Sequence, residues 1–289
     1  MKRIIIVVFS LVLTTLFVSF SILEKNVESN VIPITMKAIV NPVYVDESLD
    51  NIAYEICSFD GTSLDSFEKE TIYGCYYAYK LLNGNYCYIQ EFNGELVLAI
   101  HLPNNVIRIS IDWVPEQIIE WDNAIYLKYR NALYFVDLQN EEINIFKQLT
   151  RANIKAGTVH AKEKLIAYTD SNNLYIITDN EEFQFKTKAH CLGVVSDDCV
   201  LMSRCFFGFF ELIYKYNIYT HTITNIILCA SPGRILKSTL SSDANYLLYV
   251  VFEGFDTPPT LRLLDLKTRE RLILDNMDEF WKISSLQLL

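Results

Sequence analysis

The residues of this 289-residue chain that could do chemistry are its histidines, its cysteines and a few paired acids. The four histidines, His101, His160, His190 and His221, are far apart in sequence. Only a ring-like fold could gather them, and each alone reads as a strand-end residue, so no metal site is expected. The seven cysteines are Cys57, Cys75, Cys87, Cys191, Cys199, Cys205 and Cys229. None forms a C-x-x-C pair, which removes the zinc and thioredoxin-like motifs. An odd number leaves at least one thiol outside any disulfide within the chain, and buried thiols act as small apolar residues. His190 and Cys191 resemble a thiol–imidazole pair, but neighbours on a strand point to opposite faces. Glu141-Glu142 and Glu181-Glu182 resemble acid pairs, yet both sit where a turn would leave them solvated. The nucleophile elbow G-x-S-x-G, the phosphate-cradling G-x-x-x-x-G-K-[ST], H-E-x-x-H and the EF-hand loop are all absent. No catalytic residue and no cofactor is expected. A hydrolase or lyase with carboxylates or histidines collected in a tunnel is the alternative, since scattered acids leave no signature.

The best candidate site is a surface. Arg204-Cys205-Phe206-Phe207-Gly208-Phe209-Phe210-Glu211 places four phenylalanines and an arginine in one hairpin-sized stretch. Phe255, from a Gly/Pro-containing loop, and Trp113 and Arg234, from segments between repeats, are expected on the same side of the molecule. Aromatics with an arginine suit recognition of a protein or peptide, because they bury large area at modest entropic cost. The competing reading makes Phe206–Phe210 the ends of two strands packed into the core.

The elements that must carry these residues are strands. Runs rich in Tyr, Phe, Val and Ile are separated by Asn-Gly at Asn83-Gly84 and Asn93-Gly94, and by Asp/Asn clusters such as Asp170-Ser171-Asn172-Asn173. Such turns are hairpin signals. Residues 235–276 hold four short strands, the size of one propeller blade. The third strands of successive units centre near Glu55, Ala99, Phe135, Ile176, Tyr214 and Leu263, about 42 residues apart, as a four-stranded blade requires. The expected fold is therefore all-β, a six-bladed β-propeller of four-stranded antiparallel blades over residues 32–289, monomeric and closed by the C-terminal strand. Two packed β-sandwiches would need a linker near residues 148–156, where none is visible.

Composition limits the partners. Thirty-five acids against 25 bases give a net charge of −10. That disfavours nucleic acid, whose phosphates require a basic surface. At the N-terminus, Lys2 and Arg3 precede Ile4–Leu23, twenty residues without a charge. At ~1.5 Å per residue such a run spans the ~30 Å of a bilayer core. Residues 1–23 thus read as a transmembrane signal-anchor helix or a cleaved signal peptide, and residues 24–31 as a polar stalk. Either option puts the globular part on the extracytoplasmic side, membrane-anchored or secreted.

One phrase carries a family likeness. Ser241-Ser242-Asp243-Ala244-Asn245-Tyr246-Leu247-Leu248-Tyr249, followed by Leu263-Leu264-Asp265-Leu266-Lys267-Thr268, resembles the repeats of TolB-like and WD-like propellers. Those repeats read S-x-D-G-x-x-[LI]-x-Y and then end a strand in D-L before a Thr-Gly turn. This chain has Ala244 and Arg269 where the family often has glycine. The resemblance implies a propeller fold and, by analogy, an extracytoplasmic binding role. The shared motif residues shape turns and strands, so no active site is implied.

Overall fold

The computed structural model describes residues 35–42, 53–60, 67–73, 75–149, 157–179, 181–206, 210–230, 234–252, 259–276 and 283–288. Five blades are continuous four-stranded units. The first contains β4 (Tyr77–Lys80), β5 (Tyr86–Phe92), β6 (Glu95–Leu102) and β7 (Asn105–Ser110). The second contains β8 (Gln117–Trp121), β9 (Ala124–Tyr129), β10 (Ala132–Asp137) and β11 (Glu142–Gln148). The third contains β12 (His160–Lys162), β13 (Leu165–Thr169), β14 (Asn173–Thr178) and β15 (Glu182–Lys186). The fourth contains β16 (His190–Ser196), β17 (Cys199–Phe206), β18 (Phe210–Asn217) and β19 (Ile223–Ala230). The fifth contains β20 (Arg234–Leu240), β21 (Tyr246–Phe252), β22 (Thr260–Asp265) and β23 (Arg271–Asn276).

The expectation of six blades behind an N-terminal helix needs correction. The remaining four-stranded sheet is not a continuous unit like the other five. It is a composite of both ends of the chain, in the order β24 (Ile283–Leu288), β1 (Thr35–Pro42), β2 (Ala53–Asp60), β3 (Phe67–Tyr73). No helix occurs among the described residues, so none there could cross a membrane. The physical reason is the period-2 patterning, which leaves no 3.6-residue apolar stripe in those segments. The apolar run Ile4–Leu23 and the stalk at 24–31 lie outside the described residues. Two strands are shorter than their apolar runs. The run Ile72–Leu82 is divided between β3 and β4, where the chain crosses from one sheet to the next. Of the run that ends at His160, the described residues 157–159 precede the strand, and the Val159 backbone is bonded by a side chain, as follows.

Side-chain bonds link the inner strands around the ring. Gln117 Nε2 donates to Val159 O (2.5 Å), and its Oε1 accepts from Val159 N (3.0 Å), joining β8 to the approach of β12. Lys162 Nζ donates to Val195 O (3.0 Å) between β12 and β16, and Ser238 Oγ to Leu192 O (3.0 Å) between β20 and β16. Ile118 N donates to Tyr77 Oη (3.2 Å) between β8 and β4. Gln287 on β24 accepts from Lys80 N (2.8 Å) and donates to Lys80 O (2.5 Å). Apolar seams lie between these bonds. Leu98, Ile100, Ile118 and Leu127 fill one seam; Ile119, Leu133 and Ile166 fill the next. Second strands lie between two neighbouring blades, so Leu165–Thr169 is buried throughout while the outer strand Glu142–Gln148 is mostly exposed. That explains why Leu165–Thr169 carries no charged residue.

Few glycines do the turn work. Ala244 (φ 55°) and Arg269 (φ 70°), the two departures from the glycine pattern, both adopt the left-handed conformation. Acidic side chains hold the turns in place: Asp265 Oδ1 accepts from Lys267 N (2.7 Å) and Thr268 N (2.9 Å). Asp137 does the same for Gln139 N (2.9 Å) and Asn140 N (3.1 Å). A non-glycine residue in this conformation costs about 1 kcal/mol. Arg269→Gly, at an exposed turn, is therefore expected to raise stability by about that amount, read as a higher urea midpoint with an unchanged slope.

Candidate binding site at the channel mouth

The inner strands surround a channel whose one mouth opens into a cavity of about 630 Å³. All six sheets contribute to it; Tyr79, Glu120, Lys162, Val194, Ser241 and Leu288 represent one sheet each. Its walls come from the ends of inner strands and the turns that join first to second strands. Burial raises the Glu120 carboxyl above the ordinary carboxylate range, while the Leu82 N–H donated to its Oε2 (2.7 Å) works the other way. Asp122, Glu163 and Asp197 add acids at the rim, and Lys164 opposes them. The second rim lysine, Lys162, is engaged by the carbonyls of Val195 (3.0 Å) and Ser242 (2.9 Å). The mouth is therefore acidic and suits a ligand that brings hydrogen-bond donors.

His160 forms part of the same wall and is only 9 % exposed. Burial, aided by the charge of Lys237 and opposed by a backbone bond to Cys191, pulls it down to about 4. It is neutral near pH 7. The Cys191 N–H is already donated to Thr169 Oγ1 (3.2 Å), so the Cys191 carbonyl receives the ring proton. The other ring nitrogen, Nε2, is buried without a partner. His160 borders the cavity, but this nitrogen is itself shielded from solvent.

Of the residues chosen from the sequence, those the structure describes do not line this cavity. Phe206 on β17 pairs with Phe210 on β18, at the ends of these strands that lie away from the cavity. Arg204 is exposed and lies close enough to Tyr214 to act on its hydroxyl. Phe207, Phe209 and Phe255 lie outside the described residues, as do the side chains of Phe206, Phe210 and Arg234. Trp113 is held away from that hairpin, stacked on Tyr129 (4.5 Å, 11°) and tilted against Tyr134 (4.9 Å) beside the seam of the first two continuous blades.

The other candidate groups stay dispersed. His101 meets Tyr88 edge-on (5.2 Å), and His221 Nδ1 lies 2.8 Å from Tyr216 Oη. Among the described residues no three His, Cys, Asp or Glu side chains gather as a metal site. Cys75, Cys87 and Cys191 are free and buried, and burial pushes each thiol up to about 12, which removes thiolate reactivity.

Sequence reasoning missed Glu120 and Lys162, and passed over His160 as a strand-end residue. A usable signal was present in Lys128, a charge inside the otherwise apolar run Ile125–Tyr129 of a second strand. Its partner is Glu116, so the signal marks a buried ion pair near the ring and not the pocket itself.

Glu211, at the base of the Phe206–Phe210 hairpin, is 5 % exposed, and burial pushes it up to about 7 against the Ser203 hydroxyl. A raised carboxyl is protonated in the folded chain and ionised in the unfolded one between its ordinary 4.5 and about 7. Unfolding then releases a proton, so stability is fullest below pH 4.5 and falls as pH rises through 7. Glu211→Gln is expected to remove that slope and to raise stability at pH 8 by about 2 kcal/mol, read from urea unfolding at pH 5 and pH 8.

Fold and mouth together define a β-propeller with a pocket at one end of its channel. No protein-family model matches the chain, and no curated protein matches it. Among solved structures, a protein from Lactobacillus plantarum is similar in fold, with a TM-score of 0.52 at 9 % identity over 89 % of this chain and 100 % of that one. Two larger enzymes contain a comparable region: a prolyl endopeptidase (TM-score 0.47, 12 % identity) and prolyl oligopeptidase B of Galerina marginata (0.46, 11 %). These matches cover 76 % and 78 % of this chain, which spans only 38 % and 39 % of theirs.

Proposed function

We propose that this propeller is a binding module on the extracytoplasmic side, membrane-tethered or secreted, that takes a protein or peptide partner at the acidic mouth of its channel. The observation that carries this reading is the cavity of about 630 Å³ to which all six sheets contribute. A concave pocket of that size, walled by strand ends and turns, is the usual place for a ligand, and its charged lining would set which ligand is taken. The uncharged run behind Lys2 and Arg3 supports the location, and the TolB-like and WD-like phrase at Ser241–Tyr249 supports the role by analogy. The alternative, a hydrolase or lyase, would use Glu120 and His160, which share the pocket.

The test is proximity crosslinking in intact cells with Asp122→Arg/Glu163→Arg and, separately, Phe207→Ser/Phe209→Ser, each first checked for folding by circular dichroism. A partner lost only with the rim variant supports the mouth. Loss only with the phenylalanine variant moves the site to the opposite hairpin. A partner list unchanged in both overturns recognition at either surface.

A further inference from the structure

Two charged side chains of the cavity wall are fixed by hydrogen bonds and still have bonding capacity to spare. Glu120 and Lys162 both line the cavity. Their strands, β8 and β12, run toward the mouth, since the turns that follow, Asp122-Asn123 and Glu163-Lys164, line it too. Gln117 bonds the Val159 backbone, so Glu120 and Lys162, each three residues further on, stand at the same height. Yet no ion pair joins them among the described residues. Their heads are drawn apart instead. Glu120 Oε2 turns to the first continuous blade, where it accepts from Leu82 N (2.7 Å). Lys162 Nζ turns the other way, donating to Val195 O (3.0 Å) on the fourth blade and to Ser242 O (2.9 Å) on the fifth. In a ring of six sheets the first and fourth blades face each other, so the two charges are held toward opposite sides of the mouth. The Leu82 and Ser242 bonds are exposed, so a ligand reaches both heads. An ammonium has three donors, of which Lys162 spends two, and carbonyls satisfy donors without cancelling the charge. Glu120 keeps Oε1 without a partner among the described residues.

A ligand that uses both reserves carries a cation at one end and an anion at the other, with a span between them. The charges of a free amino acid sit on one carbon, whereas those of an extended tripeptide lie about 10 Å apart. Between the two heads, polar Asn123 and Thr239 and apolar Val194 and Leu240 complete a lining suited to backbone and side chains. We propose that the mouth captures a short peptide by both of its free ends, the ammonium meeting Glu120 and the carboxylate meeting Lys162. This deepens the binding reading and rests on it for the mouth as the site; it narrows the ligand to a peptide whose termini are both uncapped.

The experiment is isothermal titration calorimetry of the full chain with triglycine, N-acetyltriglycine, triglycinamide and glycine. Triglycine is expected to bind the wild type, and each capped form about tenfold more weakly, the loss of one charge-assisted contact. Glycine, too short to reach both heads, should give no binding. Glu120→Gln keeps an oxygen for Leu82 N and loses only the charge. It should weaken triglycine about tenfold and leave N-acetyltriglycine unchanged, because that peptide has no ammonium to lose. Lys162→Met should show the mirror pattern, weakening triglycine and sparing triglycinamide. A merely structural role for either residue would weaken all the peptides alike. Lys162→Met also removes the bonds to Val195 and Ser242, so if it does not fold, the capped peptides on the wild type still decide. Equal binding of triglycine and either capped form overturns the proposal, as does glycine binding as tightly as triglycine. So does triglycine binding weaker than about 10 mM. If a partner crosslinks through the rim while triglycine does not bind, capture by the two ends fails and the binding reading stands. If no partner is found while triglycine binding depends on both charges, the protein-partner reading fails and capture stands.

Discussion

Deletion of β24 (Ile283–Leu288) is expected to abolish cooperative folding. This strand pairs antiparallel with β1, with Ala38 opposite Leu288 and Val40 opposite Leu286. It is the inner strand of the composite sheet, and Gln287 also ties it to Lys80 on the next blade through both backbone groups of that residue. Without it, β1 presents an unpaired edge to the channel and the ring loses a link between its two ends. An edge of that kind pairs with other chains. The whole stability of a domain is about 5–15 kcal/mol, and removing one of the inner strands puts most of that at stake. The expected result is loss of the sigmoidal urea transition, with oligomers on size-exclusion chromatography. Gln287→Ala isolates the side-chain part. It leaves Lys80 N and O unbonded, and the expected cost is about 2 kcal/mol with the monomer retained. A truncated chain that still unfolded in one transition near the wild-type midpoint would show that the other sheets fold independently of closure.

The same closure shows which parts of the molecule can be read from sequence. Blade periodicity was legible because Asn-Gly turns and Asp-based turns recur at fixed offsets from apolar runs. Even the absences were informative: Ala244 and Arg269 replace glycine in the repeat, and the structure places both in the left-handed conformation that glycine would favour. The site was less legible. Glu120, His160 and Lys162 lie on neighbouring inner strands about 40 residues apart in sequence. No local pattern marks them, since what brings them together is rotation about the channel axis. The aromatic run at Phe206–Phe210 drew attention because its signal is contiguous. A convergent pocket disperses its signal around the ring, where no contiguous pattern carries it.

Gly193→Val should have the second largest effect, acting on fold and pocket together. Gly193 lies on β16 and lines the cavity. A Cβ built there would lie 2.3 Å from Leu240 Cδ1 and 2.6 Å from Leu240 Cγ, on the inner strand of the next blade. Real Cβ atoms essentially never show such distances, so Leu240, which also lines the cavity, must shift. Overpacking a rigid seam costs about 1–3 kcal/mol, and two branches on the new Cβ put valine at the upper end, about 3 kcal/mol. The displaced leucine would fill part of the mouth, so capture of a crosslinked partner there should fall together with the urea midpoint. Leu240→Ala supplies the control. In the double variant the valine takes the space left by leucine, and the two penalties should sum to more than the observed loss, a coupling above about 1 kcal/mol. Strict additivity would mean that the strands move apart instead of the side chain, and the mouth would then be a compliant opening. Non-additivity would place Gly193 and Leu240 as a matched pair that sets the width of the channel, as the side-chain hydrogen bonds between inner strands also do: each blade is held at a fixed distance from the next, and the axis stays open.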